Sequence, residues 1–223
     1  MPSTELHYLF DPLCGWCYGA APLVAEARKI VRVVPHAIGM MTGARRRAVT
    51  PQLRAFVAPH DARIAQTSGQ PFGVGYLDGL LHDTGAVFDS APPTAAILAA
   101  DALAGCGLDM LARLQVAHYL DGRRIAEREV LIEVATGLGL APHSFDAELA
   151  RQSGAPLLTH VEASRALMAQ SGSHGVPGFI LDVAGVREVV DVSAHLGHAH
   201  VFGAWLSSRI TERSASDGDR RGA

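Results

Sequence analysis

Apolar positions fall into two registers along this chain: short dense runs near both ends, and helical spacing through the middle. ELHYLF, residues 5 to 10, mixes aromatic and aliphatic residues and stops at Asp11-Pro12, which predicts a strand running into a turn. From Trp16 onward, apolar residues recur at Ala20, Leu23, Val24, Ala27 and Val31, the i, i+3, i+4, i+7 spacing of a helix with one buried face. Pro22 falls inside that pattern and predicts a kink. Residues 31 to 40, VRVVPHAIGM, are β-branched and bounded by turn residues; they read as a second strand, with Pro35 marking an edge or a bulge.

From about residue 50 to about residue 172 helical period replaces strand signals. Helices are predicted over 51 to 67, 73 to 82, 92 to 104, 108 to 121, 127 to 138, 143 to 151 and 157 to 171, with start signals at Pro92-Pro93 after Asp89-Ser90 and at Ser144. GFILDV (178 to 183) and REVVDV (187 to 192) then flank Ala184-Gly185-Val186 as a β-hairpin. A final helix over 194 to 212 precedes a polar stretch, 214 to 223, expected to fray. A strand returning through a helix to its neighbour makes a parallel pair, and a hairpin is antiparallel, so the four strands form one mixed sheet. The resulting architecture is α/β: residues 1 to 45 with 172 to 213 form one discontinuous unit, and 46 to 171 an all-helical insertion.

Composition narrows the function. A chain of 223 residues with 48% hydrophobic content can bury a core without covalent staples. A net charge of -3 gives no global attraction to nucleic acid or anionic lipid, so neither is an expected partner. The run Arg45-Arg46-Arg47 is a local exception; so short a run is more often solvated than phosphate-binding. The N-terminus lacks a basic and apolar leader, and no apolar run reaches the roughly 18 residues of a membrane span, so a cytoplasmic location is expected. In a reducing compartment three cysteines do not make a disulfide framework, and a close pair is better suited to redox or metal chemistry.

That pair is Cys14 and Cys17, in DPLCGWCYGAAP at the predicted helix start. Unpaired amides and the positive end of the helix dipole favour a thiolate at Cys14. Cys17, one turn on, is within disulfide reach but points inward, so Cys14 is the exposed attacking thiolate and Cys17 the resolving thiol. Gly15 leaves the backbone open to a substrate chain, Trp16 can cover one side of the sulfurs, and Asp11 either repels a Cys14 thiolate or only ends the strand. Far along the chain, Val176-Pro177 stands just before a strand, where a cis-proline makes a tight turn beside the thiolate. Half a zinc site and a pair of inert thiols are the other readings of C-x-x-C. Zinc needs two more ligands; Cys106 stands alone, and His195, His198 and His200 are remote and read as a surface face, so no metal is expected. Gln70-Pro71-Phe72-Gly73 and Asp89-Ser90 are pocket or ordinary loop.

Taken together, YLFDPLCGWCYGAAP, the helical insertion and the Val-Pro before the hairpin resemble the DsbA-like branch of the thioredoxin superfamily, and within it the protein-disulfide isomerases of the FrnE type. The resemblance spans residues 5 to 212. It implies a thioredoxin fold with an inserted helical subdomain, Cys14 and Cys17 as the redox pair, and Pro177 as the cis-proline. It further implies a reductase or isomerase exchanging the disulfides and thiols of proteins or small molecules, with no tightly bound cofactor and glutathione as candidate co-substrate. Trp16 stands where the periplasmic oxidases of that branch carry histidine, which points away from strong oxidising power. Two rival functions remain: a glutathione-dependent isomerase or transferase of the kappa or hydroxychromene-carboxylate type, whose members typically carry serine in place of Cys14, and a metal- or peptide-binding module.

Overall fold

The computed structural model describes residues 4 to 221, with side chains described through residue 215. Strand β1 (Thr4–Phe10) sits inside a four-stranded sheet of order β2-β1-β5-β6. It pairs parallel with β2 (Arg32–Ala37), and antiparallel with β5 (Gly178–Val183), which continues the sheet to β6 (Val186–Val190). This is the mixed sheet the sequence predicts. Pro35 lies on β2, an edge strand, where its missing amide interrupts no further ladder. The hairpin turns through Ala184 and Gly185 alone, both at positive φ, and β6 stops two residues short of the predicted end.

Helices α1 (Gly15–Gly19) and α2 (Ala21–Ala27) are the two halves of the first predicted helix. They break at Ala20, two residues before Pro22, whose ring cannot follow an unbroken preceding turn. The rest of the helical segment comprises α3 (Pro51–Ser68), α4 (Ala91–Ala104), α5 (Gly107–Tyr119), α6 (Arg128–Gly137), α7 (Pro142–Gln152) and α8 (Ala155–Ser171). Three expectations change here. The helix predicted over 73 to 82 is a π turn at Gly75–Gly79 followed by a 3-10 turn at Leu80–His82; Gly73 and Gly75 lie directly on the backbone of residues 120 to 122, too close for a regular helix bearing side chains. Helix α7 starts at Pro142 rather than after Ser144, using proline at its first position. Short strands β3 (Arg47–Ala48) and β4 (Val87–Phe88) form a separate antiparallel ladder within the otherwise helical segment.

The final helix α9 (Ala199–Arg221) begins after a 3-10 turn at Ser193–His195, where Gly197 at positive φ interrupts the predicted start. Its backbone stays helical through much of the stretch expected to fray, and residues 222 and 223 lie outside the described residues. Period-two alternation on β1 divides the core. Leu6, Tyr8 and Phe10 join the large cluster that also holds Cys14, Cys17 and the helical insertion, while Leu9 packs with Ile180 and Leu167 of α8 on the other face. The end of β1 therefore delivers the cysteine turn to the seam between sheet and insertion.

Candidate redox site

Asp11 ends β1 and organises the turn that follows. Its carboxylate accepts hydrogen bonds from the Leu13 amide (3.0 Å), the Ser90 hydroxyl (2.7 Å) and the Met40 amide (2.5 Å), and its carbonyl accepts from the Cys14 amide (3.1 Å). Burial pushes the Asp11 carboxyl up, against these stabilising donors. Cys14 then stands at the N-cap of α1 in extended conformation, with its carbonyl accepting the first helical bond from the Tyr18 amide.

Cys14 and Cys17 are free thiols, and Cys17 sits against the Cys14 sulfur. Cys17 is fully buried. Burial first, then the hydrogen bond and charge interaction with Cys14, push its thiol well above the ordinary range; the Asp11 charge adds to the rise, while a backbone hydrogen bond from Asp11 opposes it. Cys17 is thus a protonated thiol at neutral pH. Cys14 is the more accessible of the two, yet only 7% exposed. The expected open thiolate is corrected to a sulfur lidded by the Val176 loop, whose carbonyl accepts a 3.7 Å hydrogen bond from Cys14 Sγ. Asp11, expected to act on Cys14, is placed to act on Cys17.

The Val176-Pro177 peptide bond is cis. With Trp16 it lines a groove of about 430 Å³ that continues over Ser173, His174 and the segment from Val189 to Ser193. Trp16 carries Arg63 over its ring at 5.8 Å. Gly15 lies under α3: a methyl added there would stand 2.8 Å from Ile64 Cδ1 and 3.2 Å from Asp61 Oδ1, so its small size serves close helix packing as well as openness to a substrate.

That contact exposes residues the sequence reading missed. Asp61, 5% exposed, lies over the cysteine helix and accepts a 2.9 Å hydrogen bond from Tyr76; burial holds its carboxyl at about 6. Tyr76, Tyr119, Phe72 and Tyr18 form a ring cluster behind it, with Tyr18 and Tyr119 stacked at 4.9 Å. The available signal was spacing alone, because Asp61, Ile64 and Ser68 share one helical stripe. The loop residues Gln70 and Pro71 hold Tyr18 in place rather than shape a pocket, and Ser90 supports Asp11.

The remaining candidates lie elsewhere. Cys106 caps α5 and donates to the Ala100 carbonyl. His195 packs against Phe202 and Trp205, and His200 is 3.7 Å from Glu26. Among the described residues no group of three His, Cys, Asp or Glu side chains is placed to hold a metal ion. No described helix is long and apolar enough to cross a membrane.

No family model matches the chain, and no curated protein does. Solved structures do. The cytosolic disulfide reductase DsbM of Pseudomonas aeruginosa is 52% identical over 93% of this chain and 98% of its own, with a TM-score of 0.88. DsbM with GSH superposes with a TM-score of 0.87 at 51% identity, over 93% of this chain and 99% of that one. A proposed protein disulfide isomerase of Nitrosomonas europaea, 21% identical over 94% and 98% of the two chains, shares the fold with a TM-score of 0.76. A likeness to DsbM at 52% identity over nearly the whole of both chains makes this protein a member of the DsbA-like branch of the thioredoxin superfamily, the thiol-disulfide oxidoreductases.

Proposed function

We propose that the protein is a disulfide reductase that attacks with Cys14, resolves with Cys17 and is returned to its dithiol by glutathione. The carrying observation is the N-cap placement of Cys14 against Cys17 and the Val176 carbonyl, in a chain 52% identical to a disulfide reductase. The Cys14 thiolate attacks one sulfur of a substrate disulfide, forming a mixed disulfide and releasing the first substrate thiolate. Cys17 attacks the Cys14 sulfur, its proton passing to the departing substrate sulfur, which leaves as the second thiol, and Cys14–Cys17 is left oxidised. Two glutathione molecules then reduce that disulfide and leave as glutathione disulfide. The GSH present with DsbM supports glutathione as co-substrate, and a reducing compartment such as the cytoplasm suits the chemistry.

In this reading residues 1 to 45 with 172 to 213 form the redox unit, and 46 to 171 the insertion that covers it. Gly15, Trp16, Val176 and Pro177 guide the substrate chain, and Asp11 fixes the turn. The glutathione-transferase and metal-binding alternatives are not favoured. The test is glutathione-coupled reduction of insulin and of a small disulfide. Cys14→Ser abolishes both, and Cys17→Ser accumulates a mixed disulfide on Cys14. A Cys14→Ser protein working at the normal rate overturns the proposal.

A further inference from the structure

A second groove shares no lining residue with the one beside Trp16. It encloses about 680 Å³ between the loop after β2 and the first turns of α3. Its apolar side is Met40, Met41, Leu53 and Phe56, the last 66% exposed. Its polar side is Arg45, Arg46 and Arg47, and no carboxylate lines it.

The positive charge is poorly compensated. Arg46 faces Asp89 at 3.7 Å and donates to the Gly43 carbonyl, Arg45 donates only to the Gly39 carbonyl, and Arg47 has no ion-pair or hydrogen-bond partner for its side chain among the described residues. Behind them Arg165 donates to the Ile38 and Gly39 carbonyls, so two guanidinium groups converge on Gly39. A protein of net charge -3 thus lines one trough with three arginines, a fourth standing behind them. The trough is tied to the catalytic turn: the Met40 amide donates to Asp11, and Asp11 accepts from the Cys14 amide.

From this complementarity we propose that the groove docks the polypeptide flanking a substrate's disulfide, and selects flanks that carry Asp or Glu beside a large apolar residue. The inference rests on the disulfide-reductase reading and names its substrate class. Methionine and an exposed phenylalanine accept apolar side chains of varied shape, whereas the arginines supply long-range attraction and register. A tripeptide thiol brings no apolar side chain to fill the trough, so the occupant is a protein segment.

The experiment compares two disulfide-linked peptides that differ only in flanks, Glu-Leu against Lys-Leu, as substrates of the full-length protein. Anisotropy with labelled cysteine-to-serine versions of both peptides reads docking without turnover. The acidic peptide is expected to show roughly fivefold higher kcat/KM at low salt, through KM, with the advantage fading as salt rises. Arg47→Glu should reverse the preference toward the Lys-Leu peptide, a gain that misfolding does not produce, and Phe56→Ala should weaken binding of both. Equal kcat/KM and equal binding for the two peptides, or an unchanged preference in Arg47→Glu, overturns the docking proposal and leaves the reductase reading intact. Selective binding without reduction of any disulfide overturns the reductase reading instead.

Discussion

At the scale of single residues, the site divides into what neighbours along the chain specify and what only folding assembles. Cys14, Cys17 and the Val176-Pro177 turn are legible because spacing and local element type carry their meaning. Asp61, Tyr76 and Ser90 are not, because an isolated acid, phenol or hydroxyl acquires its surroundings from segments tens of residues away. Asp61 also yields a prediction. Its carboxyl is raised from 3.8 to about 6 by burial, so the folded protein holds the proton more tightly than the unfolded chain. Stability from this group is therefore greatest at low pH and is lost as pH rises from about 4 through about 6, by at most about 3 kcal/mol at 1.36 kcal/mol per unit. Asp61→Asn, which still accepts from Tyr76, should raise stability at pH 8 by about 1 to 3 kcal/mol and change little at pH 4. Urea unfolding at the two pH values checks this; an Asn variant less stable at pH 8 contradicts it.

At the scale of elements, helix periodicity located most of the helices, and it failed where glycines let backbones touch. Residues 73 to 82 look helical in apolar spacing, but Gly73 and Gly75 press against residues 120 to 122 and the chain takes π and 3-10 turns instead. The two-residue strands β3 and β4 are too short to leave a period. The contact of α1 with α3 follows the same logic. A methyl on Gly19 would come 2.9 Å from Ile64 Cγ2 and 3.3 Å from the Ser68 side chain, and Cγ2 is fixed to a β-branched carbon inside the core. Gly19→Ala should therefore cost about 1 to 3 kcal/mol by overpacking, although alanine is the better helix former. Adding Ile64→Ala should recover part of the loss relative to Ile64→Ala alone. Simple additivity of the two substitutions in chemical denaturation would show that the helices do not meet there.

At the scale of the whole molecule, buried histidines govern the response to acid. Burial lowers His36 to about 4, helped by His7 and His160, and His118 to about 3; it also lowers His7 and His160. In the folded protein all four take up protons less readily than in the unfolded chain, whose histidines titrate at their ordinary value of 6.5. Their contribution is complete above pH 6.5 and is lost as pH falls toward 4. Asp61 and Asp11, both raised, oppose this, but histidines outnumber them. The melting temperature should fall steadily between pH 6.5 and 4.5, and His118→Met should soften the fall. A melting temperature that is flat or rising over that interval contradicts this balance.

The overall plan was legible because the mixed sheet follows from strand and helix alternation, and the family from a cysteine turn and a proline turn at opposite ends of the sequence; that β5 lies beside β1 comes only from the structure. What joins them is a geometric claim: one sulfur attacks, and its buried neighbour closes the cycle. Equilibrating the protein across glutathione redox buffers, then trapping and mapping every thiol, tests that claim most directly. Cys14 and Cys17 should disappear together in one two-electron transition, with Cys106 still reactive and a midpoint below about -200 mV, far from the roughly -120 mV of a strong oxidant. Oxidation that pairs either cysteine with Cys106, or leaves Cys14 and Cys17 as independent thiols, would contradict it.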